Sequence, residues 1–308
     1  MATKRIEIPS DQTDAVLEIG DRQVRLTNLR KLFWKKLGVT KRDLLQYYAD
    51  VSQWLIPHVA GRAMVMKRYP NGAEGEFFYM KRAPEPRPEW IDICPIMHSE
   101  MVRFPIVQDL PSLLWLINLG CIDLNPWYAR CDDWDRPDFL HFDLDPGPGA
   151  DFDKVREVAL RVRDILGALD MPTYPKTTGS KGIHIYIPIK REPMQKEVWA
   201  FAKAIAIELE SRHGDLITAE YRKVKRPYGR VLVDYNQNAW GRTLASIYSV
   251  RPTANVSMPV TWGELEEGAK IEDFRIDNAV ERLNDVGDLW KPVLAKTKRV
   301  NLYKVFKR

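Results

Sequence analysis

His141-Phe142-Asp143-Leu144-Asp145-Pro146-Gly147-Pro148-Gly149 is the most informative run of the 308-residue chain. In a strand, alternate side chains point to opposite faces, so Phe142 and Leu144 turn to the core while His141, Asp143 and Asp145 share the other face. Two carboxylates held side by side repel one another, and a divalent cation between them relieves the cost; Mg²⁺ or Mn²⁺ bound by carboxylates and phosphate oxygens is a usual arrangement. The Pro-Gly turn ends the strand where α/β sheets commonly take up ligands. Read alone, an Asp-x-Asp before a turn fits equally well an exposed strand terminus whose Asp caps the loop.

The second half of the chain alternates strand and helix. Phe139 to Asp145 is a strand and residues 151–168 form an amphipathic helix burying Val155, Val158, Val162, Ile165 and Leu166. Residues 173–178 are a further strand. Ile183, Ile185, Ile187 and Ile189 alternate strictly against His184 and Tyr186, which makes residues 183–189 another. A helix over 194–212 ends at Gly214, and residues 231–235 and 244–250 complete the strands. The first half gives an edge hairpin or arm over 1–25, a helix capped at Thr40 and ending near Pro57, a hairpin of 63–69 with 76–82, and a short helix over 111–120. The fold class is α/β.

Asp234 adds a third carboxylate. In the strand that carries it, Leu232, Asp234 and Asn236 alternate with Val231, Val233 and Tyr235, so Asp234 projects either into a shared site or into a surface salt bridge. Three strand-borne carboxylates suit a pair of cations ~3.5–4 Å apart. In Lys176-Thr177-Thr178-Gly179-Ser180-Lys181-Gly182-Ile183-His184, two glycines around a hydroxyl and a lysine can present backbone N–H groups and a charge to phosphate. It is not a Walker loop, which would open a helix; a tight hairpin turn is the alternative reading. Lys67 and Arg68 lie near Phe77, Phe78 and Tyr79, and Lys31, Lys35, Lys36, Lys41 and Arg42 flank the first helix. Such mixtures of cations and rings suit nucleotides or nucleic acid, whereas core packing and solvated surface are the plainer alternatives.

Composition sets the outer bounds. Hydrophobic residues make up 45% and charged residues 29% of the chain, which excludes disorder, collagen and coiled coil. The net charge of +5 agrees with a nucleic-acid partner without requiring one. The longest apolar stretch, near residues 113–119, falls short of the ~20 residues of a membrane span. With no secretory signal visible, the expected location is the cytoplasm, in association with the nucleoid. Three cysteines without Cys-x-x-Cys spacing indicate neither a disulfide framework nor a structural zinc site.

Taken together, these residues resemble the primase-polymerase domain of bacterial non-homologous end-joining, the polymerase module of ligase D and its stand-alone relatives in the archaeo-eukaryotic primase superfamily. Asp143-Leu144-Asp145 is similar to that family's first motif, Thr178 to His184 to its second and Val233-Asp234-Tyr235-Asn236-Gln237-Asn238 to its third. Leu26-Thr27-Asn28-Leu29, Thr40-Lys41 and Ser249-Val250-Arg251 fit as well. The resemblance runs from about Leu26 to Trp290. It implies an RNA-recognition-motif-like antiparallel catalytic sheet flanked by helices and packed against an N-terminal α/β lobe: an arm over 1–25, a domain over 26–290 with its lobe at about 26–130 and its core at about 131–260, and a basic tail over 291–308.

The activity implied is templated addition of nucleotides, preferentially ribonucleotides, to a 3′-hydroxyl at gaps and broken DNA ends, with two Mn²⁺ or Mg²⁺ ions. Asp143, Asp145 and Asp234 would hold the metals; Thr178, Lys181, His184 and Arg251 the triphosphate, with Gln237 close by. Lys67, Phe78 and Tyr79 would meet the nucleotide and bases, and Asn28, Lys31 and Lys41 the downstream 5′-phosphate. Asn125 stands where many relatives carry histidine, and Tyr79 where phenylalanine is frequent. No ligase or nuclease motif is visible, so a separate ligase and a Ku-like end-binding protein are the expected partners. A metal-dependent nuclease would use the same carboxylates without a triphosphate cradle, and a non-catalytic end-binding module would need the cations and rings alone.

Overall fold

A computed structural model describes residues 5–307. The chain forms two compact units, one running to Trp127 and adding Ala245–Val256 and Arg275–Gly287, the other comprising Tyr128–Leu244, Ser257–Phe274 and the chain from Asp288 on.

In the first unit the helix Lys41–Val59 begins at Thr40, whose hydroxyl accepts from the Asp43 N–H while the Asp43 carboxylate accepts from the Thr40 N–H. This reciprocal cap satisfies two backbone donors that the helix cannot. Leu44, Leu45, Tyr48, Val51 and Leu55 recur at helical spacing and lie on its buried face. A three-stranded antiparallel sheet places Met64–Arg68 between Phe78–Met80 and Cys121–Pro126. Of the two readings of the N-terminal segment, Ala15–Ile19 and Arg22–Leu26 form the hairpin. The helix Leu110–Asn118 is capped by Asp109, with Pro111 in its first turn.

Residues 244–250 are not a strand. Their apolar pattern records burial rather than sheet pairing, because side chains take up their backbone groups: the Val250 N–H donates to the Tyr48 hydroxyl at 3.0 Å. The Ser249 hydroxyl donates to the Val250 carbonyl at 3.3 Å. Tyr248, at φ 59°, breaks the extended path.

The second unit is built on a five-stranded sheet in the order Tyr174–Thr177, Ile183–Pro188, Phe139–Pro146, Val231–Asp234, Ile217–Thr218. Its first three pairings are antiparallel and the last is parallel. One face of the sheet is apolar, with Phe142, Leu144, Ile183, Ile185, Ile187, Val231 and Val233 fully buried. The helices Phe152–Ala168 and Gln195–Arg212 pack on the central strand. The basic stretch after Lys291 folds into this unit: Val300 bridges Ile189, Arg299 donates to the carbonyls of Asp138 and Ile189, and Leu302 is buried. Cys121, in the first unit, is a buried free thiol. Among the described residues no helix is long and apolar enough to cross a membrane.

The loop 178–182 approaches the central strand so closely that only glycine fits at its end. A Cβ on Gly182 would lie 2.0 Å from the Leu144 carbonyl oxygen. Gly182→Ala should therefore destabilise the protein by more than ~2 kcal/mol. Gly167→Ala, in a helix with open space around it, should stabilise by roughly 0.4–1 kcal/mol. Denaturant unfolding of the two variants checks both signs.

Candidate active site

Sheet register brings the site of the second unit together. Lys176 pairs with His184, His184 with Asp143, and Asp143 with Asp234, so four strands contribute one row of side chains. Asp145 lies two residues along from Asp143 and shares its face. Directly opposed like charges are unfavourable in a sheet. The consequence is visible at Asp145, whose carboxyl is pushed up to about 7, first by the charge of Asp143, then by burial and by Asp234, against the nearby Arg226 and Lys223. Both cations sit in a segment that the motif reading passed over.

The strand bearing Asp234 stops there, and residues 236–238 form a 3₁₀ turn rather than the continued alternation expected from sequence. The Asp234 carboxylate accepts from the Asn236 N–H at 2.8 Å and from the Gln237 side-chain amide at 3.1 Å. Gln237 thus lies on the carboxylate itself. Asn238, quoted from sequence as the end of the third motif but given no role, has a buried side chain that accepts from the His141 N–H at 3.1 Å and donates to the His141 carbonyl at 2.7 Å. It stands in for a strand neighbour where the ladder has ended; its place in the Asn-Gln-Asn run after the apolar strand was the available signal. His141, on the polar face by alternation, is fully buried between Tyr128 and Tyr186, with its imidazole held neutral by burial.

The 178–182 loop is closed on itself. The Thr178 hydroxyl accepts from the backbone N–H groups of Ser180, Lys181 and Gly182 at 3.0–3.1 Å. These donors, expected to face phosphate, point at Thr178 instead, and Lys181 extends an exposed side chain from the loop. His184 is buried, with Nε2 3.2 Å from Asp143 Oδ1.

In the first unit Asp123, which motif reading did not single out, is buried between two cations. Its Oδ2 lies 3.7 Å from Lys67 Nζ and 3.5 Å from Arg251 Nε. Burial raises the Asp123 carboxyl, opposed by Arg251 and then Lys67, and burial likewise lowers the Lys67 ammonium. Tyr79 is the register partner of Lys67 and Phe78 that of Arg68. The two rings therefore turn to opposite faces: Lys67 lies over Phe77 at 4.0 Å, and Arg68 over Phe78 at 5.2 Å. Asn125 is buried and donates to the Asp123 carbonyl.

Asn28, Lys31 and Lys41 also come together. The Lys31 N–H donates to the Asn28 carbonyl and the Lys41 N–H to the Lys31 carbonyl. Asn28 adopts a left-handed backbone, φ 56°. Lys41 opens the long helix with its ammonium on the Thr27 carbonyl, and burial, then Lys31, lowers it to about 8.

The sequence matches the model of the LigD primase-polymerase domain over residues 40–290. The chain belongs to this family. Family membership makes it a nucleotidyltransferase. It is 34% identical over 278 residues to the "Multifunctional non-homologous end joining protein LigD" of Mycolicibacterium smegmatis, covering 88% of this chain and 36% of that protein. It is 30% identical over 268 residues to the "Bifunctional non-homologous end joining protein LigD" of Bacillus subtilis, covering 86% and 43%. The chain thus spans well under half the length of these relatives. Among solved structures it is similar to the "Polymerase Domain from Mycobacterium tuberculosis Ligase D in complex with DNA", with a TM-score of 0.82 and 31% identity, over 89% of this chain and 98% of that one. The mixed α/β fold read from the sequence is the fold of that domain.

The donor set fits a hard divalent cation. Among the described residues no three acidic, histidine or cysteine side chains form a ready-made metal cage, but carboxylate oxygens crowded enough to raise Asp145 are what a cation supplemented by substrate phosphates requires. Without metal the crowding costs stability. An unfolded Asp ionises near 3.9, so between that pH and about 7 the folded chain holds the extra proton and stability falls as pH rises. Asp145→Asn should therefore raise the melting temperature of metal-free protein at pH 8, by roughly 2–4 °C per kcal/mol relieved, and change it little at pH 4. Thermal unfolding in chelator at both pH values is the measurement.

Proposed function

We propose that the chain extends 3′-hydroxyl ends by templated nucleotide addition, with ribonucleotides preferred, at gaps and broken DNA ends in non-homologous end-joining or related repair. The observation that carries this reading is the cross-strand opposition of Asp143 and Asp234 beside Asp145, a cost that a nucleotidyltransferase site explains. The relatives' names and the DNA-bound polymerase domain support it. A separate ligase and a Ku-like end-binding protein are the proposed partners.

Asp143, Asp145 and Asp234 would hold two divalent ions, Mn²⁺ or Mg²⁺. When bound, such ions neutralise charge at the reacting phosphate and favour the hydroxyl as nucleophile. The primer oxygen attacks the α-phosphorus in line, and the bond to the bridging oxygen breaks as pyrophosphate leaves. Lys181 meets the triphosphate as a point charge, with His184 beside it and Thr178 holding the loop in shape. Gln237, through its bond to Asp234, fixes one carboxylate's orientation. Lys67 and Arg251, kept apart by Asp123, present charge to the nucleotide, and Tyr79 a stacking face. Asn28, Lys31 and Lys41 would hold the downstream 5′-phosphate.

The test is extension of a labelled primer across a short gap, with ribo- or deoxyribonucleotides, Mn²⁺ or Mg²⁺, and with or without the 5′-phosphate. Asp145→Ala should abolish addition, and a folded variant that extends like wild type overturns the carboxylate assignment. Lys41 is charged below about 8 and loses its proton above it, so stimulation by the 5′-phosphate should be strongest near pH 7 and fade toward pH 9 and beyond. Lys41→Met should remove the stimulation at every pH while leaving unstimulated extension within about threefold; stimulation that persists unchanged refutes the phosphate assignment.

A further inference from the structure

The row across the catalytic sheet begins with a lysine that has no solvent to solvate it. Lys176 is fully buried. Its Nζ lies 2.7 Å from His184 Nδ1 and is also bonded to the Ser257 hydroxyl, whose own proton goes to the Thr177 carbonyl at 3.0 Å. The Tyr186 ring is a further neighbour, at 5.9 Å. An ammonium has three donors and no acceptor, so the bonds run outward: to Ser257, which has spent its hydrogen, and to the imidazole nitrogen. A ring that accepts at Nδ1 carries its hydrogen at Nε2, and that is the atom 3.2 Å from Asp143 Oδ1.

We propose that Lys176 is a positioning residue of the nucleotidyl-transfer site, fixing the neutral Nε2–H tautomer of His184 so that a hydrogen-bond donor faces the carboxylates and the phosphate beside them. The inference rests on the polymerase reading for its consequence in catalysis, but the Lys176–His184 hydrogen bond it asserts is independent of that reading. Lys176 acts through the ring; it stands at the head of the 176–184 run quoted from sequence, without an assigned role there. A buried lysine serving only to fill space would leave the ring's tautomer to chance.

The experiment has two arms on the whole chain. In ¹⁵N-edited NMR of the wild type, with His184 assigned by the signals lost in His184→Gln, Nδ1 should have the shift of an unprotonated, hydrogen-bonded nitrogen and Nε2 that of a protonated one. A proton on Nδ1, or on both nitrogens, overturns the proposal without need of a variant. In primer extension, Lys176→Met should raise the nucleotide KM about tenfold, as loss of a charge-assisted bond implies, with kcat changed less than threefold. Lys176→Gln, which keeps an N–H donor, should recover part of the loss. A folded Lys176→Met with wild-type KM overturns the catalytic role. Absence of extension by the wild type overturns the polymerase reading instead, with the NMR arm still deciding the hydrogen bond.

Discussion

Two aspartates face each other across an antiparallel pair of strands, and the chemistry of the second unit follows from that choice. Asp143 and Asp234 are register partners, in a geometry that ordinarily disfavours like charges. The surroundings hold the opposition in place. The next two strands contribute His184 and Lys176 on one side, and a 3₁₀ turn clasps the far carboxylate through Asn236 and Gln237 on the other. Beneath, the apolar face of Phe142, Leu144, Ile183 and Val233 is completely buried, so the row cannot relax by twisting the strand. The repulsion is stored in the site and expressed as the raised proton affinity of Asp145.

Much of this could be read from the chain because a strand's period of two fixes which side chains share a face. Alternation alone joined Asp143 to Asp145 and separated His184 from the isoleucines, and helical spacing located the long first helix with its Thr40 cap. What escaped was set by partners distant in sequence. Asp123 looks apolar in context, within Cys121–Pro126, and becomes meaningful only when Lys67 and Arg251 arrive from segments far along the chain. Residues 244–250 alternate like a strand because they are buried, yet the Tyr48 and Ser249 hydroxyls serve the N–H and carbonyl of Val250 in place of a neighbouring strand. The basic C-terminal stretch, read from sequence only as a tail, docks through Arg299 and Leu302.

The two units solve the problem of buried charge differently. In the first, Asp123 carries opposite charges on two sides, and burial works against an arrangement that is balanced overall. In the second, negative charge accumulates around Asp145, with Arg226 and Lys223 moderating it. A balanced cluster is suited to shaping a surface, and an unbalanced one to recruiting what it lacks.

The self-closed loop at Thr178 has a consequence of its own. Three backbone dipoles are used up on one hydroxyl, so what the loop offers an anion is the charge at the tip of a long, exposed side chain. Attraction of this kind reaches out through solvent, tolerates variation in where the anion sits, and is weakened by dissolved ions over a Debye length of about 8 Å at physiological ionic strength. A cradle of fixed N–H donors would demand an exact pose and would be less sensitive to salt. The loop has exchanged geometric strictness for reach, a compromise suited to substrates that present themselves imperfectly.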